Sequence, residues 1–521
     1  MAASLDPRIA DALALLPNYL GQHVILSISA VALGIALGLP LAMVSLSAPR
    51  WRFVLLSVVG LVQTIPSLAL LALFYPLLLG LSLLTSAAFG VQFSALGFLP
   101  SLIALTLYSM LPIIRNTVTG MMGVDPAIKQ AALGVGMTPM QSLIQIELPL
   151  ALPTIMAGIR TAAVWVIGTA TLSTPVGQTS LGNYIFTGLQ TQNWIFVLFG
   201  CVAAAVLALI VDSLLGAIEH ALTRRERRKL AVSAAAFAIV IAAASFSSFN
   251  GTGTQYVIGS KPFAEQYILA ALLQQRLAES HLTSEQRAGL GSSVAFDALK
   301  GGDIDAYVDY SGTIWTNYMH RTDYPSRDAI LREITDWLRT QNGVKLLGEL
   351  GFENAYALAM RRDKAEAMGI KTIADLARQS AALSIAGDVE FFSRPEWRAL
   401  ERDYGLSFRD QRVLQGTFIY RAVADGEVDV ISAYSSDGEI AQYDLITLED
   451  PKQSLPPYDA MLLISPKRAE DRALSDALSP LIGAINIERM RKANMMLAAG
   501  PGQQSPDAAA RSLWNDIAHR P

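Results

Sequence analysis

The stretch from Asp125 to Arg160, DPAIKQAALGVGMTPMQSLIQIELPLALPTIMAGIR, gathers residue types that build a docking surface rather than a reaction centre. Asp125 can cap a short helix that has Pro126 at its first position. Ala131 and Ala132 give that helix a small, smooth face, and Gly134 and Gly136 end it. Thr138 then caps a second helix with Pro139 at its first position, and Pro149 and Pro153 mark the return to an apolar run. Two short helices in succession form a compact knob suited to a partner protein. Reaction chemistry is sparse elsewhere. The sequence has no Gly-x-x-x-x-Gly-Lys-Ser/Thr phosphate loop, so the chain does not bind and hydrolyse ATP by that route. It shows no zinc-type ligand spacing and no nucleophile elbow, so neither a metal site nor an enzyme is expected. The single cysteine, Cys201, lies in an apolar run and reads as a packing residue.

The elements around this knob follow from an uneven composition. The first 250 residues hold 7 Asp/Glu and 11 Lys/Arg, whereas the remaining 271 hold 37 and 29. The first half is too apolar for a soluble domain, and the second has ordinary globular composition. Each is long enough for its own core. The net charge of −4 gives no sign of nucleic-acid binding.

Apolar runs near 20 residues predict six membrane spans, at 20–47, 53–80, 98–118, 151–173, 195–219 and 230–249. Pro66 and Pro76 interrupt the second. Arg50 and Arg52, Arg115 and Lys129, and the run Arg224 to Lys229 fall on one side when the N-terminus is outside. That side is the cytoplasm, because basic residues accumulate there. Segments 81–97 and 174–194 carry no Lys or Arg, as outer loops should. Six spans then place the second half outside the cell. The N-terminus has no basic lead-in and reads as no secretory signal. The helix at 230–249 follows a basic run and resembles an internal signal, and its length favours an uncut tether for the outer domain. The domain organisation is therefore a membrane domain over 1–250, with the knob at 125–150 and the tether at 230–249, and an extracytoplasmic domain over 253–521.

Beyond Gly253 the pattern alternates strand and helix. Tyr256–Gly259, Asp303–Asp309 and Val428–Ala433 read as strands, and a helix runs from Ser260 to about Glu279. Such alternation predicts α/β layers. Twelve tyrosines lie in this half.

Residues 130–149 resemble the coupling-loop motif of ABC importer permeases: Glu-Ala-Ala, three residues, Gly, nine residues, Ile, one residue, Leu-Pro. Here Gln130, Ala131, Ala132, Gly136, Ile146, Leu148 and Pro149 stand at that spacing, with Gln130 in place of the usual Glu. The resemblance implies an all-α polytopic membrane domain of the type I importer kind. It also implies a separate ATPase subunit in two copies, which carries ATP and magnesium while this chain carries no cofactor. Two permease halves are then required, and a homodimer is the simplest arrangement.

The second half resembles the osmoprotectant-binding family, which recognises glycine betaine, choline and related quaternary amines. The likeness rests on IGSKPFAEQYILAALL at 258–273, AYVDYSGT at 306–313, NAYALAM at 354–360, GEVDVISAYSSDG at 426–438 and LEDPKQSLPPYDA at 448–460. It implies a class II periplasmic-binding-protein fold of two α/β lobes, one over 253–355 and 455–521 and the other over 356–454. A quaternary ammonium has no N–H to donate, so aromatic faces recognise it, each contributing roughly 0.5–2 kcal/mol. The family's tyrosine cage carries over to Tyr310, Tyr356, Tyr434 and Tyr458. Its carboxylate partners carry over to Lys261, Thr313 and Arg394. Tyr420 reads as packing.

These readings together imply an importer in the bacterial cytoplasmic (inner) membrane, embedded in lipid, whose outer domain closes on a small quaternary amine. Glycine betaine, proline betaine, carnitine and ergothioneine all stay open as the solute, and choline or another amine or amino-acid derivative is the alternative. A solute receptor or osmosensor without transport is the rival of another class, and the coupling loop argues against it.

Overall fold

Long apolar helices make up the first half of the chain in the computed structural model, which describes residues 6–90, 93–191, 193–249, 255–321, 323, 325–498 and 503–518. The first, α1 (Pro7–Ser45), runs through Pro17 and Pro40 without a break. The expected second span at 53–80 is not one straight helix. It divides into α2 (Pro49–Thr64) and α3 (Ser67–Phe89), which meet at 99°. The break falls at Pro66 because the residue before a proline is pushed out of the helical region, and Ile65 is extended at φ −74°, ψ 126°. The freed Ile65 carbonyl accepts a hydrogen bond from the Tyr108 hydroxyl, as a backbone group in an apolar setting must. Pro76 sits inside α3 and does not break it.

Helix α4 (Phe98–Met122) packs against α7 (Leu148–Ala170), with two short helices between them, α5 (Pro126–Gly134) and α6 (Pro139–Ser142). Small residues allow the close crossing. A Cβ on Gly158 would lie 2.7 Å from the Pro112 carbonyl oxygen. Helices α8 (Gly182–Gln190), α9 (Trp194–Thr223) and α10 (Arg227–Phe249) follow. Among the described residues, four helices are long and apolar enough to cross a membrane alone, and the bent pair makes a fifth candidate. Helix α10 occupies the place of the expected sixth span.

One charged cluster is built into these helices. Arg160 of α7 donates two hydrogen bonds to Asp212 of α9, both 2.9 Å, and a third to Glu219 at 3.0 Å. Gly216 of α9 makes room for it, since a Cβ there would sit 3.3 Å from the guanidinium carbon. Charges within apolar helices persist when paired in this way.

The second half forms two five-stranded sheets. The first is ordered β2-β1-β3-β10-β4, from β1 (Tyr256–Gly259), β2 (Ser284–Arg287), β3 (Ala306–Tyr310), β4 (Lys345–Glu353) and β10 (Asp459–Ile464). The second is ordered β7-β6-β8-β5-β9, from β5 (Tyr356–Arg361), β6 (Ser384–Gly387), β7 (Asp410–Val413), β8 (Val430–Tyr434) and β9 (Leu445–Thr447). Both repeat one plan: three parallel strands, one antiparallel strand, and an edge strand paired to it. The chain crosses between the sheets twice, at 354–355 and at 448–458. The helix expected from Ser260 begins later, as α11 (Ala264–Glu279), because Pro262 and an extended Phe263 delay it. By contact the chain divides into two compact units, one on Ile9–Phe186 and Ile195–Thr252, the other chiefly on Gly253–Pro521.

Candidate functional site

The sheet plan explains why four tyrosines far apart in sequence share one place. Tyr310 is the last residue of β3 and Tyr434 the last of β8. Tyr356 opens β5, and Tyr458 immediately precedes β10. Tyr356 pairs with Tyr434 in antiparallel register. Strand ends of open α/β sheets are where such folds bind ligands.

The rings of Tyr356 and Tyr434 have centroids 4.7 Å apart, and the Tyr434 hydroxyl is 3.0 Å from that of Tyr356. Tyr458 meets Tyr356 edge-on at 5.4 Å. Tyr310 joins through a residue that the sequence reading passed over. Phe263 stacks on Tyr434 at 6.2 Å and 11°, and lies 6.1 Å from Tyr310. Phe391 closes the other side, 5.4 Å from Tyr356. Gly312, in the YSGT motif, admits the Tyr458 ring, because a Cβ there would lie 2.5 Å from it. A cation held by two rings must lie within about 6 Å of each centroid and outside van der Waals contact of both. Rings stacked 6.2 Å apart leave no such position between Phe263 and Tyr434.

Both cations expected to meet a ligand carboxylate have carboxylates of the protein beside them. Lys261 is 2% exposed and forms an ion pair with the fully buried Asp309. Its ammonium also lies 5.6 Å from the Tyr310 ring. Arg394 is 4% exposed and donates to Glu396 at 3.1 Å, to Glu390 at 2.8 Å and to the Tyr458 hydroxyl at 2.9 Å. Its guanidinium sits over the rings of Tyr356 and Tyr458, at 5.1 and 5.7 Å. Two buried cations without acids would be far too costly to desolvate, which is why the fold supplies them. Thr313 is buried just beyond Tyr310.

A second residue outside the expected set ties the lobes. Glu265 of α11 is buried and accepts four hydrogen bonds, from Tyr310 (2.5 Å), Ser436 (2.6 Å), Asn354 (2.9 Å) and Asn494 (3.0 Å). Burial holds its carboxyl above the ordinary range, against the pull of these four donors. Tyr420, read as packing, also belongs to the cleft, where its hydroxyl donates to Asp437. The one hint in the sequence was position: Phe263 and Glu265 lie inside the GSKPFAEQ segment beside Lys261.

The coupling segment has the predicted caps. The Asp125 side chain accepts from the Ala127 N–H at 2.8 Å, and Thr138 and Gln141 form a reciprocal capping box. Gly136 adopts φ +85°, a left-handed conformation that a side chain would strain. Gln130 and Ala131 are exposed, Ala132 is buried, Ile146 and Leu148 are half-buried, and Pro149 is exposed. A π-turn at Leu143–Glu147 carries α6 into α7, and Pro149 and Pro153, expected at the return to the apolar run, lie in the first turns of α7. Lys129 pairs with Glu147 at 2.8 Å and fastens α5 to that turn.

Comparison with known proteins places these features. Residues 254–516 match the family described as the substrate-binding domain of ABC-type glycine betaine transport systems. Residues 34–228 match the inner-membrane component of binding-protein-dependent transport systems. An ergothioneine transport permease/ergothioneine binding protein of Helicobacter pylori is 28% identical over 461 residues, 85% of this chain and 80% of its own. A choline transport system permease of Bacillus subtilis is 39% identical over 40% of this chain and 89% of its own. A crystal structure of a glycine betaine/carnitine/choline ABC transporter is 25% identical, with a TM-score of 0.45, over 50% of this chain and 98% of that one.

Proposed function

Because the chain belongs to the substrate-binding family of ABC-type glycine betaine transporters, with a permease domain joined ahead of it, we propose that it imports a small quaternary-ammonium solute. The observation that carries this reading is the meeting of Tyr310, Tyr356, Tyr434 and Tyr458 at strand ends of both lobes. Aromatic faces recognise an ammonium that cannot donate a hydrogen bond. A carboxylated betaine is the preferred solute, with Lys261, Thr313 and Arg394 nearest its carboxylate. Carnitine, choline and ergothioneine are the alternatives, and the Helicobacter relative, similar across both halves, lends weight to the last.

The chain is a multi-pass protein of the inner membrane. In this reading the binding domain faces outward, tethered by α10, which raises its effective concentration to about millimolar at the permease. Two copies pair through the membrane domain. Two copies of a separate ATPase dock on α5 and α6 and carry ATP and magnesium, so the chain is neither an enzyme nor the holder of a cofactor. Closure of the lobes on solute, docking, and ATP-driven opening of the pathway then follow as an alternating cycle.

Uptake of labelled glycine betaine by cells making the chain with its ATPase tests this. Uptake should depend on ATP and fall sharply in Gly136→Val, whose side chain strains the loop. Full binding with no ATP-dependent uptake would make the protein a receptor. Uptake indifferent to ATP would make it a channel.

A further inference from the structure

The membrane half holds a cavity for which the transport cycle has no use. It has a volume of about 140 Å³ and lies between α1, α7, α9 and α10. Ser27 supplies the sole hydroxyl among its described lining residues, and the other walls are aliphatic side chains and the ring of Phe237. An apolar cavity stays dry, and one of about 150 Å³ admits a benzene ring. The space therefore suits a run of about six apolar carbons. It is too narrow for a further helix, which is about 10 Å across. In the orientation that the basic residues indicate, α1 and α9 run inward while α7 and α10 run outward. The lining residues nearest the inner face are then Ile35, Ile159, Leu215 and Phe237. Phe237 is also where α10 packs on the core formed by α1, α7 and α9.

A second, independent observation lies toward that inner face. Helix α9 ends at Thr223 and α10 begins at Arg227, so a short turn joins them. Arg224, Arg225, Arg227 and Arg228 are all exposed there. Glu226 is taken by Lys229 at 2.7 Å, and the four arginines form no ion pair among the described residues. At 1.5 Å per residue, Arg228 stands about 14 Å from Phe237 along α10, and Thr223 about 12 Å from Leu215 along α9. One leaflet of hydrocarbon is about 15 Å deep, half of a core about 30 Å thick. The arginines thus stand at the level of lipid headgroups and the cavity at the depth of lipid tails.

We propose that this groove holds an acyl chain of an anionic phospholipid of the inner leaflet, whose headgroup phosphate rests on the Arg224–Arg228 turn. The two features together select the occupant. A basic turn alone attracts any anionic surface, and an apolar groove alone accepts any tail. A molecule with an anionic head and a tail reaching one leaflet deep satisfies both. Arginine suits the head, because its planar fork donates paired hydrogen bonds to phosphate. A zwitterionic headgroup carries the same phosphate but adds a cation, which the arginines repel. The bound lipid fills the space beneath α10 and steadies the tether of the binding domain at its membrane end.

The test is native mass spectrometry of the full-length chain in detergent, titrated with dioleoyl phosphatidylglycerol or dioleoyl phosphatidylcholine. The wild-type chain should retain phosphatidylglycerol at least about 10-fold more tightly. Replacing Arg227 and Arg228 together by Gln should weaken phosphatidylglycerol about 30-fold, near 5-fold for each charge, and change phosphatidylcholine little. Ala32→Phe fills the cavity from an exposed position and should weaken both lipids. Should it also lower the unfolding midpoint, Val240→Phe fills the same space from α10. Equal retention of the two lipids by the wild-type chain overturns the site. So does a preference that the arginine pair variant leaves intact. Tight phosphatidylglycerol binding that survives filling of the cavity shows a basic surface with no acyl groove, and overturns it as well.

Discussion

The two lobes of the binding domain share one sheet plan and differ in how they hold charge. In the first lobe Lys261 and Asp309 form a closed pair, 2% and 0% exposed, with Tyr307 donating to the same carboxylate. Everything that the pair needs comes from its own lobe. In the second lobe Arg394 is shared. It binds Glu390 and Glu396 on its own side and the Tyr458 hydroxyl of the first lobe, while Glu396 also accepts from Thr316 of the first lobe at 3.3 Å. One ion pair is part of a core, and the other is part of a latch. The difference teaches that a buried cation beside an aromatic cage can serve stability or closure, and that its partners decide which.

The largest effect expected from this contrast is on stability. Asp309→Asn strands the Lys261 ammonium and should lower the stability of the binding domain by about 3–5 kcal/mol, read in denaturant unfolding. If unfolding barely moves, the first-lobe pair is not structural and the comparison fails. Next, Tyr356→Ala removes a ring that the latch and the cage share, and should weaken quaternary-ammonium binding about 5- to 30-fold. Arg394→Gln differs from Asp309→Asn in kind: it strands the buried Glu396 and also removes a bond across the lobes, so the closed form should be less populated, as seen by an interlobe distance probe. An unchanged interlobe distance there would erase the distinction between core and latch.

Smaller effects sharpen the same contrast. Gly312→Ala should displace the Tyr458 ring, and calorimetry should show a several-fold loss of affinity with the fold intact. The buried carboxyls Glu265, Asp388, Asp437 and Glu439 give a pH signature. Their folded pKa values lie above the unfolded ones, so the stability that they contribute is present at low pH. It is lost as pH rises through the folded values. Unfolding midpoints should therefore fall as pH climbs out of the ordinary carboxylate range, and Glu265→Gln should flatten part of that slope.

Much of this was legible in the sequence, for local reasons. The coupling segment carries its own caps and its left-handed glycine, so its two short helices could be read from Asp125, Pro126, Gly136, Thr138 and Pro139. The cage tyrosines sit in motifs at strand ends, where the fold brings them together. The counter-charge of Lys261 and the donors to Glu265 were not legible, because their pairing is tertiary, whereas Glu390 and Glu396 lie beside Arg394 in the sequence. Asp309 lies 48 residues from Lys261, and the partners of Glu265 come from positions 310, 354, 436 and 494. The sharp turn between α2 and α3 was visible as Pro66, but Pro76 carried the same signal and produced no break. At Pro66 the Tyr108 hydroxyl receives the Ile65 carbonyl, a tertiary contact that the sequence does not announce.

The π-turn at Leu143–Glu147 has a mechanical consequence. Because it joins α6 to α7 instead of ending a loop, the helical run from Pro139 to Val176 is a single arm of 38 residues. At 1.5 Å per residue such an arm is about 57 Å long, and a tilt of about 5° at its docking end moves the far tip by about 5 Å. In the proposed complex an ATPase docked on α6 would act on one end of this continuous arm.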